Sequence, residues 1–468
     1  MSGAATPVRV AHPPPVAPRA PVLVSEGSLA WLRAGSVLAF LAPVTLLLGL
    51  RLAHLRVDPL LGLYGVVVLA TTSLVMFIAF GFYRDPAMGV PSDPRQPLVS
   101  ALVACKDDRD IVIRCVRSLL ASSYRRLEVI VVDDGSTDGS RERLVQLSRR
   151  LPFQLVLNDE SVGKKRALVR GAERARGDIF VFTDSDCVVD PDAIEQAVRA
   201  FRCDPEIGGI SGHARALNAD HNVLTRMQDV WYDGQFRVWK AAESVFGAVT
   251  CVSGPLAAFR REAIYPYLPA WAEDSFLGQE FRFATDRQLT GYVLGQRQVG
   301  RRLQARHADH PFVRGGAHPP RHWKVCYVRS ARVWTAVPHS LGRLFRQQAR
   351  WKKSFIRNLC FTGTFYWRRG PIPALLFYSH SLFVMATPIM AARHLIYLPL
   401  RGAWFLCGLY LCGVCVKGAI WAAAYRIQNP GDGRWVYRPL MSLMSAVLFS
   451  MLLVYSSLTL RRQVWARG

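Results

Sequence analysis

Two apolar runs near the start of the chain set the strongest limit on how it can fold. Residues 59–83 contain no charged residue, and residues 34–50 are bounded by Arg33 and Arg51. Each run is long enough to cross a hydrocarbon layer about 30 Å thick. Buried core helices are the alternative, but charge-free stretches of this length favour membrane spans. We therefore predict two transmembrane helices within residues 29–83, forming a hairpin that returns the chain to its starting side.

Further apolar runs occupy the end of the chain, at residues 371–392, 403–425 and 439–460. Three spans would leave the C-terminus on the side opposite the central region. Arg461, Arg462 and Arg467 instead favour the same side, since basic residues concentrate on the cytoplasmic face. A split or re-entrant run around residues 393–400 would reconcile the three apolar runs with a C-terminus on the cytoplasmic side. The sequence predicts a transmembrane region over residues 371–468 and leaves its number of spans open.

Composition agrees with a mixed architecture of membrane and water-exposed parts. The 468 residues have a mean hydropathy of +0.14, and 59 Lys and Arg against 34 Asp and Glu give a net charge of +25. Residues 1–28 are rich in Pro and Ala and are expected to be a disordered tail without a cleaved signal peptide. The positive charge indicates a cytoplasmic surface beside membrane lipids. We expect no nucleic-acid partner, because no zinc-finger, helix-turn-helix or ribonucleoprotein motif accompanies that charge.

The central region, residues 97–335, alternates short apolar runs with polar helical stretches. The runs at residues 98–104, 129–132, 154–157 and 179–182 predict strands of a mostly parallel α/β sheet. In such sheets, ligands bind at the carboxyl ends of the strands. Residues 337–370 are basic and amphipathic, which predicts helices lying on the membrane surface.

Acidic motifs follow two of the predicted strands. Residues 129–139 read Val-Ile-Val-Val-Asp-Asp-Gly-Ser-Thr-Asp-Gly, and residues 179–186 read Ile-Phe-Val-Phe-Thr-Asp-Ser-Asp. A simple turn can explain the first motif alone. Carboxylates spaced as Asp-x-Asp can hold Mg²⁺ or Mn²⁺, which then bridges a diphosphate. Between them, residues 163–166 read Gly-Lys-Lys-Arg, whose cations can contact phosphates or begin a solvated helix.

These strand-end motifs resemble the nucleotide-sugar site of family 2 glycosyltransferases. Residues 251–256, Cys-Val-Ser-Gly-Pro-Leu, and residues 283–290, Phe-Ala-Thr-Asp-Arg-Gln-Leu-Thr, are similar to segments of hyaluronan synthases. Residues 347–351 fit the Gln-x-x-Arg-Trp motif of processive hyaluronan, chitin and cellulose synthases, and residues 465–467 resemble a C-terminal Trp-Gly-Thr-Arg element. The resemblance, over residues 30–468, implies a GT-A-type glycosyltransferase domain inserted between transmembrane α-helices.

The resemblance also implies residue roles. Asp286 matches the catalytic base, Asp107 and Asp134 match positions near the uridine, and Lys164 matches a nucleotide-contacting lysine. Asp184 and Asp186 match the metal motif, with Asp186 the more direct ligand, and Gln347, Arg350 and Trp351 match the motif that joins diphosphate to acceptor. The chemistry agrees, since an inverting transfer needs one base and a guanidinium suits a phosphate. Anchoring at the membrane interface is the alternative for Trp351.

The implied activity is processive, inverting polymerisation of UDP-sugars at the plasma membrane, with export of the growing polysaccharide. A hyaluronan-like product implies UDP-N-acetylglucosamine and UDP-glucuronic acid as donors. The chain departs from hyaluronan synthases at Ala284-Thr285, where they have Gly-Asp, and at Gln288, where they have His. It also lacks the usual aromatic residue in residues 104–107 and has Ala466 in place of Gly.

These departures leave open which sugar or sugars the enzyme would polymerise. A chitin-like or cellulose-like homopolymer synthase is the enzymatic alternative, with a short-oligosaccharide synthase as a variant. A non-catalytic membrane protein that binds polysaccharide or lipid is the alternative of another class.

Overall fold

The computed structural model describes residues 58–91, 96–283, 285–314 and 319–462 of the chain. The predicted tail at residues 1–28, the apolar run at 34–50 and the Trp-Ala-Arg element at 465–467 lie outside these residues. The described part contains a mixed β-sheet with helices on both faces, and long apolar helices that precede and follow it.

Eight strands form the central sheet, in the order β3-β2-β1-β4-β7-β6-β10-β5. Their bounds are Val99–Cys105 (β1), Leu127–Asp134 (β2), Gln154–Asn158 (β3), Ile179–Asp184 (β4), Cys187–Val189 (β5), Ile207–Ala216 (β6), Ala257–Arg260 (β7) and Lys324–Thr335 (β10). Two short strands, Ser275–Phe276 (β8) and Gln279–Glu280 (β9), pair separately. The four predicted strands are present, each extending by one to a few residues beyond its expected apolar run.

The expectation of a mostly parallel sheet holds for one half of it. Strands β3, β2, β1 and β4 are parallel neighbours, and β6 pairs with β10 in parallel. Strand β7 instead runs antiparallel to both β4 and β6, and β5 runs antiparallel to β10. Antiparallel neighbours need no long helical crossover between them. The alternation of strands and helices in the sequence therefore could not predict the antiparallel strands β5 and β7.

The parallel half brings the strand tips to one edge of the sheet. Cys105 at the end of β1 lies opposite Asp133 of β2, and Ala104 lies opposite Asp184 of β4. Strands β1, β2 and β4 are buried over almost their whole length, as expected for a sheet covered on both faces. The loops after these strands therefore start at the same level and face the same crevice.

The domain helices flank these strands. They are Arg109–Leu120, Ser140–Ser148, Lys164–Arg174, Ala193–Cys203, Val223–Gly234, Ala241–Val245, Arg261–Ile264, Leu268–Ala272, Thr285–Leu294, Arg301–Ala305 and Pro311–Arg314. A π-helical turn, Gln235–Lys240, joins the Val223–Gly234 helix to the next one. The basic segment predicted at residues 337–370 forms one helix, Leu341–Thr362, here named the Gln-Arg-Trp helix, and a short turn, Tyr366–Arg369.

Within the described residues, four helices are long and apolar enough to cross a membrane. They are Pro59–Gly81, Pro371–Leu400, Trp404–Gln428 and Gly433–Leu458. The stretch expected to break near residues 393–400 passes through a π-helical turn, Arg393–Tyr397, and continues to Leu400. Asp58, at the start of the first helix, pairs with Arg393, and Tyr83, just beyond its other end, donates a hydrogen bond to the Tyr327 carbonyl of β10.

The last helix, Gly433–Leu458, runs beside the Gln-Arg-Trp helix. The rings of Phe345 and Phe449 are 5.9 Å apart, and Ser456 Oγ donates to the Ala349 carbonyl at 3.1 Å. Lys353 Nζ donates to the Thr459 carbonyl at 2.6 Å. The start of this helix contacts the sheet domain as well, through the Arg226–Tyr437 hydrogen bond. One end of this helix therefore lies beside the sheet domain and the other beside the Gln-Arg-Trp helix.

Candidate active site

Asp134, at the tip of β2, organises the loop that leads to Lys164. Its carboxylate accepts hydrogen bonds from Asn158 Nδ2 at 3.0 Å, from Ser161 Oγ at 2.9 Å, and from the backbone N–H groups of Val162 and Gly163 at 2.9 Å. Gly163 has a φ of +90°, which a residue with a side chain rarely adopts. The carboxylate thus fixes the turn from which the Lys164–Arg174 helix begins.

The tip of β1 is tied to both neighbouring loops. Asp107 Oδ1 accepts a hydrogen bond from the Thr137 N–H at 2.8 Å, and the Asp107 N–H donates to Ser136 Oγ at 3.0 Å. The buried Asp108 accepts a hydrogen bond from Ser185 Oγ at 2.6 Å. Because Ser185 is the middle residue of the Asp-x-Asp motif, Asp108 holds that motif against the end of β1.

The two carboxylates of the Asp-x-Asp motif lie together. Ligand atoms of Asp184, Asp186 and Cys187 all fall within 4.8 Å of one another. Burial, with the neighbouring charge of Asp184, raises the pKa of Asp186 to about 6. A divalent cation would relieve this repulsion, so the two carboxylates fit Mg²⁺ or Mn²⁺. Burial raises the pKa of the Cys187 thiol, and hard ions prefer oxygen, so the thiol is a poor ligand.

Lys164 is the cation at the centre of these acidic groups. Its ammonium forms an ion pair with Asp184. Burial lowers the pKa of Lys164, but Asp184, and then Asp186 and Asp286, outweigh burial and raise it. The two carboxylates of the Asp-x-Asp motif and the distant carboxylate of Asp286 therefore act on one ammonium group.

The segment at residues 251–256 passes between the metal motif and Asp286. Lys240 Nζ donates to Ser211 Oγ at 2.8 Å, to the Cys251 carbonyl at 2.7 Å and to Ser253 Oγ at 2.5 Å. A Cβ added to Gly254 would lie 2.9 Å from Asp184 Oδ2, so the backbone approaches the metal motif closely. The sequence does not predict this position for Lys240, because a single lysine within a helical stretch gives no signal of such contacts.

Asp286 lies in the first turn of the Thr285–Leu294 helix. Its Oδ1 accepts the Arg287 N–H at 2.8 Å, and its Oδ2 accepts the Cys251 Sγ–H at 3.4 Å. The Thr290 hydroxyl donates to the Asp286 carbonyl at 2.7 Å. Side chain and backbone of the predicted base are thus both held in place, with the carboxylate turned toward residue 251.

The Gln-Arg-Trp helix faces the same acidic groups. Arg350 lies in the electrostatic field of Asp184 and Asp186, while burial and Arg346 lower its pKa. The Trp351 ring is 5.8 Å from the Trp231 ring and 6.2 Å from the Tyr232 ring.

Gln347 hydrogen bonds with Tyr232, whose hydroxyl pKa is raised by burial and by Asp186. Trp231 and Tyr232 were not among the predicted site residues, although two adjacent aromatic residues in a polar helical stretch are a usable signal.

A buried ionic network supports the Lys164–Arg174 helix. Lys165 Nζ donates to Gln288 Oε1 at 2.6 Å and to the Phe281 carbonyl at 2.8 Å, and it lies 3.3 Å from Asp274 Oδ2. Arg357 Nη2 contacts Asp274 Oδ1 at 2.6 Å. The prediction of a phosphate-contacting or solvated cation is therefore wrong for Lys165, because these partners enclose its ammonium group.

The predicted site residues fall into two groups. In the first group, Asp184, Asp186 and Asp286 act electrostatically on Lys164, and Arg350 lies in the field of Asp184 and Asp186. Gln347 and Trp351 adjoin this group through Tyr232. Asp107 and Asp134 lie at the neighbouring strand tips, where their described hydrogen bonds shape the loops. Their contact with a nucleoside stays a prediction.

Comparison with known proteins agrees with this geometry. Residues 100–268 match the glycosyl transferase family 2. The chain is 28% identical over 442 residues to a hyaluronan synthase of Streptococcus pyogenes serotype M3, covering 92% of this chain and 96% of that protein. It is also 28% identical over 406 residues to an N-acetylglucosaminyltransferase of Azorhizobium caulinodans, covering 86% and 95% of the two chains.

A solved structure shares the fold. The mannosyltransferase from Pyrobaculum calidifontis, in complex with GDP-Man and Mn²⁺, superposes with a TM-score of 0.50 at 19% identity, covering 86% of this chain and all of that chain. The family match over residues 100–268, together with the similarity to the synthase and the transferase, sets aside the non-catalytic alternative. The chain is a glycosyltransferase with a family 2 domain of GT-A type, flanked by apolar helices, and it is similar over most of its length to hyaluronan synthases.

Proposed function

We propose that this glycosyltransferase is embedded in the plasma membrane and polymerises UDP-sugars processively, with inversion, while exporting the product. The observation that carries the proposal is the convergence of Asp184, Asp186 and Asp286 on Lys164, beside the Gln-Arg-Trp helix. One crevice thus offers carboxylates for a metal ion, a separate carboxylate for a base, and cations for a diphosphate.

The reaction follows from these groups. Asp286 takes the proton from the acceptor hydroxyl, whose oxygen attacks the anomeric carbon of the donor sugar. The bond from that carbon to the diphosphate oxygen breaks on the opposite face, and UDP leaves. Lys164 and Arg350 hold the diphosphate, and Asp184 and Asp186 would hold the metal ion. When bound, Mg²⁺ or Mn²⁺ would neutralise the negative charge that develops on the UDP leaving group.

The acceptor end lies against the aromatic cluster formed by Trp231, Tyr232 and Trp351. Aromatic faces suit the apolar faces of sugar rings. Trp351 remains partly exposed, so a sugar ring can reach it without displacing the cluster. On the same helix, Gln347 lies about one turn before Trp351, and Arg350 directly precedes it. This helix therefore links the acceptor site to the diphosphate site.

A membrane topology accompanies this assignment. We propose crossings at Pro59–Gly81, Pro371–Leu400 and Trp404–Gln428, together with the predicted span at residues 34–50. The last helix stays beside the Gln-Arg-Trp helix at the interface instead of crossing. This arrangement keeps the sheet domain and Arg461 and Arg462 on the cytoplasmic side, in agreement with the positive-inside rule.

For the donors we propose UDP-N-acetylglucosamine and UDP-glucuronic acid, supported by the similarity to hyaluronan synthases over most of both chains. A homopolymer of N-acetylglucosamine is the second candidate. It is favoured by the similarity to the N-acetylglucosaminyltransferase and by Thr285 and Gln288, which differ from the hyaluronan synthase pattern.

The test is turnover by the purified, detergent-solubilised protein with Mg²⁺ or Mn²⁺, supplied with each UDP-sugar singly and in pairs. Polymer that forms only with both donors and is digested by hyaluronidase supports the first candidate. Polymer from UDP-N-acetylglucosamine alone, digested by chitinase, supports the second and overturns the first.

The Asp286→Asn variant tests the proposed base. We expect polymer synthesis to fall by about 10²- to 10⁴-fold, the usual contribution of general base catalysis, while UDP binding is retained. Asp309→Asn is the matched control, because the Asp309 side chain is 96% exposed and pairs only with Arg314 among the described residues. Full polymer synthesis by the Asp286→Asn variant would overturn the assignment.

A further inference from the structure

The segment that connects the last two apolar helices reaches into the sheet domain through an arginine. This segment, residues 429–436, follows the Trp404–Gln428 helix and is here named the linker. Arg434 of the linker donates through Nη1 to Asp229 Oδ2 at 2.9 Å, and Asp229 lies on the Val223–Gly234 helix of the domain. The Asp229 side chain is 0% exposed, so the linker contacts a carboxylate inside the domain and not one on its surface.

Two further contacts join the same elements. Asn429 Nδ2 donates to Asp233 Oδ2 at 3.4 Å, and Arg237 Nη1 donates to the Gln428 carbonyl at 3.1 Å. Arg237 Nε also lies 3.1 Å from Asp233 Oδ1. Because Asp229 and Asp233 are four positions apart in one helix, their side chains share a face. That face is turned toward the linker.

The other side of the same helix carries a ring of the aromatic cluster. Successive residues of an α-helix point about 100° apart, so Trp231 lies roughly 200° around the helix from Asp229. The Trp231 ring is 5.8 Å from the Trp351 ring, and the next residue, Tyr232, is 6.2 Å from it. The Val223–Gly234 helix is therefore held between the linker on one side and the Gln-Arg-Trp helix on the other.

Charge balance alone does not account for Arg434. Arg215 donates to Asp229 through Nε at 3.0 Å and through Nη2 at 2.8 Å. Burial raises the pKa of Asp229, but Arg215, and then Arg434, outweigh burial and lower it. Since Arg215 and Arg237 already match the charges of Asp229 and Asp233, the contact with Arg434 adds a fixed position more than a needed counter-charge.

We propose that Arg434 is a positioning residue for the acceptor, acting through Asp229 and its helix on the aromatic cluster formed by Trp231, Tyr232 and Trp351. This inference rests on the proposed function, because it takes that cluster to be the acceptor site. It deepens that function by giving a residue between two apolar helices control over how the acceptor hydroxyl meets the donor sugar.

A misplaced acceptor has a chemical signature. Water then takes the place of the acceptor hydroxyl, and its oxygen attacks the anomeric carbon while the bond to the diphosphate oxygen breaks. One proton of the water passes to Asp286, and the products are free sugar and UDP. The ratio of UDP released to sugar incorporated therefore reports acceptor placement. A smaller amount of folded protein or weaker donor binding lowers both quantities together and leaves the ratio unchanged.

The test measures UDP release and incorporation of radiolabelled sugar in parallel, with the full-length protein in detergent, Mn²⁺, UDP-N-acetylglucosamine and UDP-glucuronic acid. Since a displacement of about 1 Å can cost up to about a hundredfold in rate, we expect Arg434→Met to raise the ratio by about threefold to tenfold, without a change in donor KM. Arg434→Lys, which keeps a cation within reach of Asp229, should restore most of the wild-type ratio.

Two control variants separate this contact from its surroundings. Arg426→Met removes an exposed cation near the end of the preceding helix that forms no ion pair with a described residue, and it should leave the ratio unchanged. Asp220→Asn removes only the outer partner of Arg434, whose side chain is 72% exposed and whose ion pair contributes little. An equal rise of the ratio in Asp220→Asn and Arg434→Met would place the effect at the surface and overturn the proposal.

A second variant covers the case in which Arg434→Met does not elute as a single species. Arg237→Met removes the contact with the Gln428 carbonyl and should raise the ratio in the same direction. A wild-type ratio in the folded variant, even with reduced incorporation, assigns a purely structural role and overturns the proposal.

The wild-type protein separates this inference from the proposed function. If it incorporates no sugar from either donor, the proposed function fails and takes the inference with it. If it incorporates sugar and the ratio is insensitive to Arg434, the inference alone fails.

Discussion

Replacement of Asp274 with asparagine removes the carboxylate that faces two buried cations. Asp274 receives Arg357 Nη2 at 2.6 Å and Nε at 3.2 Å, with Lys165 Nζ at 3.3 Å. The exposed fractions of the side chains are 3% for Asp274, 6% for Arg357 and 5% for Lys165, so water screens their charges little. The variant therefore leaves two cations buried beside a neutral amide.

The magnitude follows from the cost of breaking a buried ion pair on one side, which is about 3 to 5 kcal/mol. For a unit of 150 to 250 residues, each kcal/mol lowers Tm by about 2 to 4 °C, so we expect a decrease of roughly 6 to 20 °C. Glu280→Gln is the control. Glu280 pairs with Arg166 and Arg282 at a partly exposed position, where an ion pair contributes at most about 1 kcal/mol.

The pH dependence gives an independent reading of the same contact. Burial, opposed by Asp274, lowers the pKa of Lys165 to about 8. The unfolded chain keeps the ordinary lysine pKa near 10.4, so between these values it binds more protons than the folded chain and stability rises with pH. Above pH 8, Lys165 is increasingly neutral and needs no counter-charge. The destabilisation by Asp274→Asn should therefore be smaller at pH 9 than at pH 7.

The assay is thermal unfolding of the purified protein in detergent, followed by intrinsic fluorescence at both pH values. Equal shifts of about 2 °C for Asp274→Asn and Glu280→Gln at pH 7 would refute the argument that the network is desolvated. A larger loss at pH 9 than at pH 7 would refute the role given to Lys165.

Three further outcomes are expected. Because the pKa of Asp186 is raised to about 6, Mn²⁺ affinity measured by calorimetry should be constant above that pH and fall below it, as protons compete with the ion. Gly254→Ala should weaken UDP binding by about tenfold to a hundredfold, since its Cβ would lie 2.9 Å from Asp184 Oδ2; unchanged UDP affinity would contradict the close approach. Trp351→Ala should slow polymer synthesis by about tenfold, the value of one good aromatic contact, whereas the exposed Trp367→Ala should not; equal rates would remove Trp351 from the acceptor site.

The sequence predicted those parts of the site that depend on strand ends. Apolar runs that end in acidic residues required Asp134 and Asp184 to lie at one edge of a parallel sheet, and the structure agrees. Family resemblance added Asp286 and the Gln-Arg-Trp helix, which no local pattern connects to those strands. In the structure, Asp286 acts on Lys164, and Arg350 lies in the field of Asp184 and Asp186.

Other features depend on contacts between distant segments and left no local signal. Strand β7 pairs antiparallel with two strands after the chain passes through residues 251–256, a segment that the sequence distinguishes only by its resemblance to hyaluronan synthases. Lys165 is adjacent to Lys164 in a basic helix start, yet one turns toward Asp184 and the other toward Asp274. Adjacent helical residues face directions about 100° apart, so only the packed neighbours decide which cation is buried.

The contacts of the last apolar helix bear on attempts to shorten this protein. Lys353 donates to the carbonyls of Thr459 and Arg462, and Ser456 donates to the Ala349 carbonyl, within the helix that carries Arg350 and Trp351. Truncation before residue 456 would leave the Lys353 ammonium without these acceptors and strip one flank from that helix. An inactive C-terminal deletion would thus report a displaced Arg350 as readily as the loss of the proposed export path, and point substitutions are the sounder way to tell the two apart.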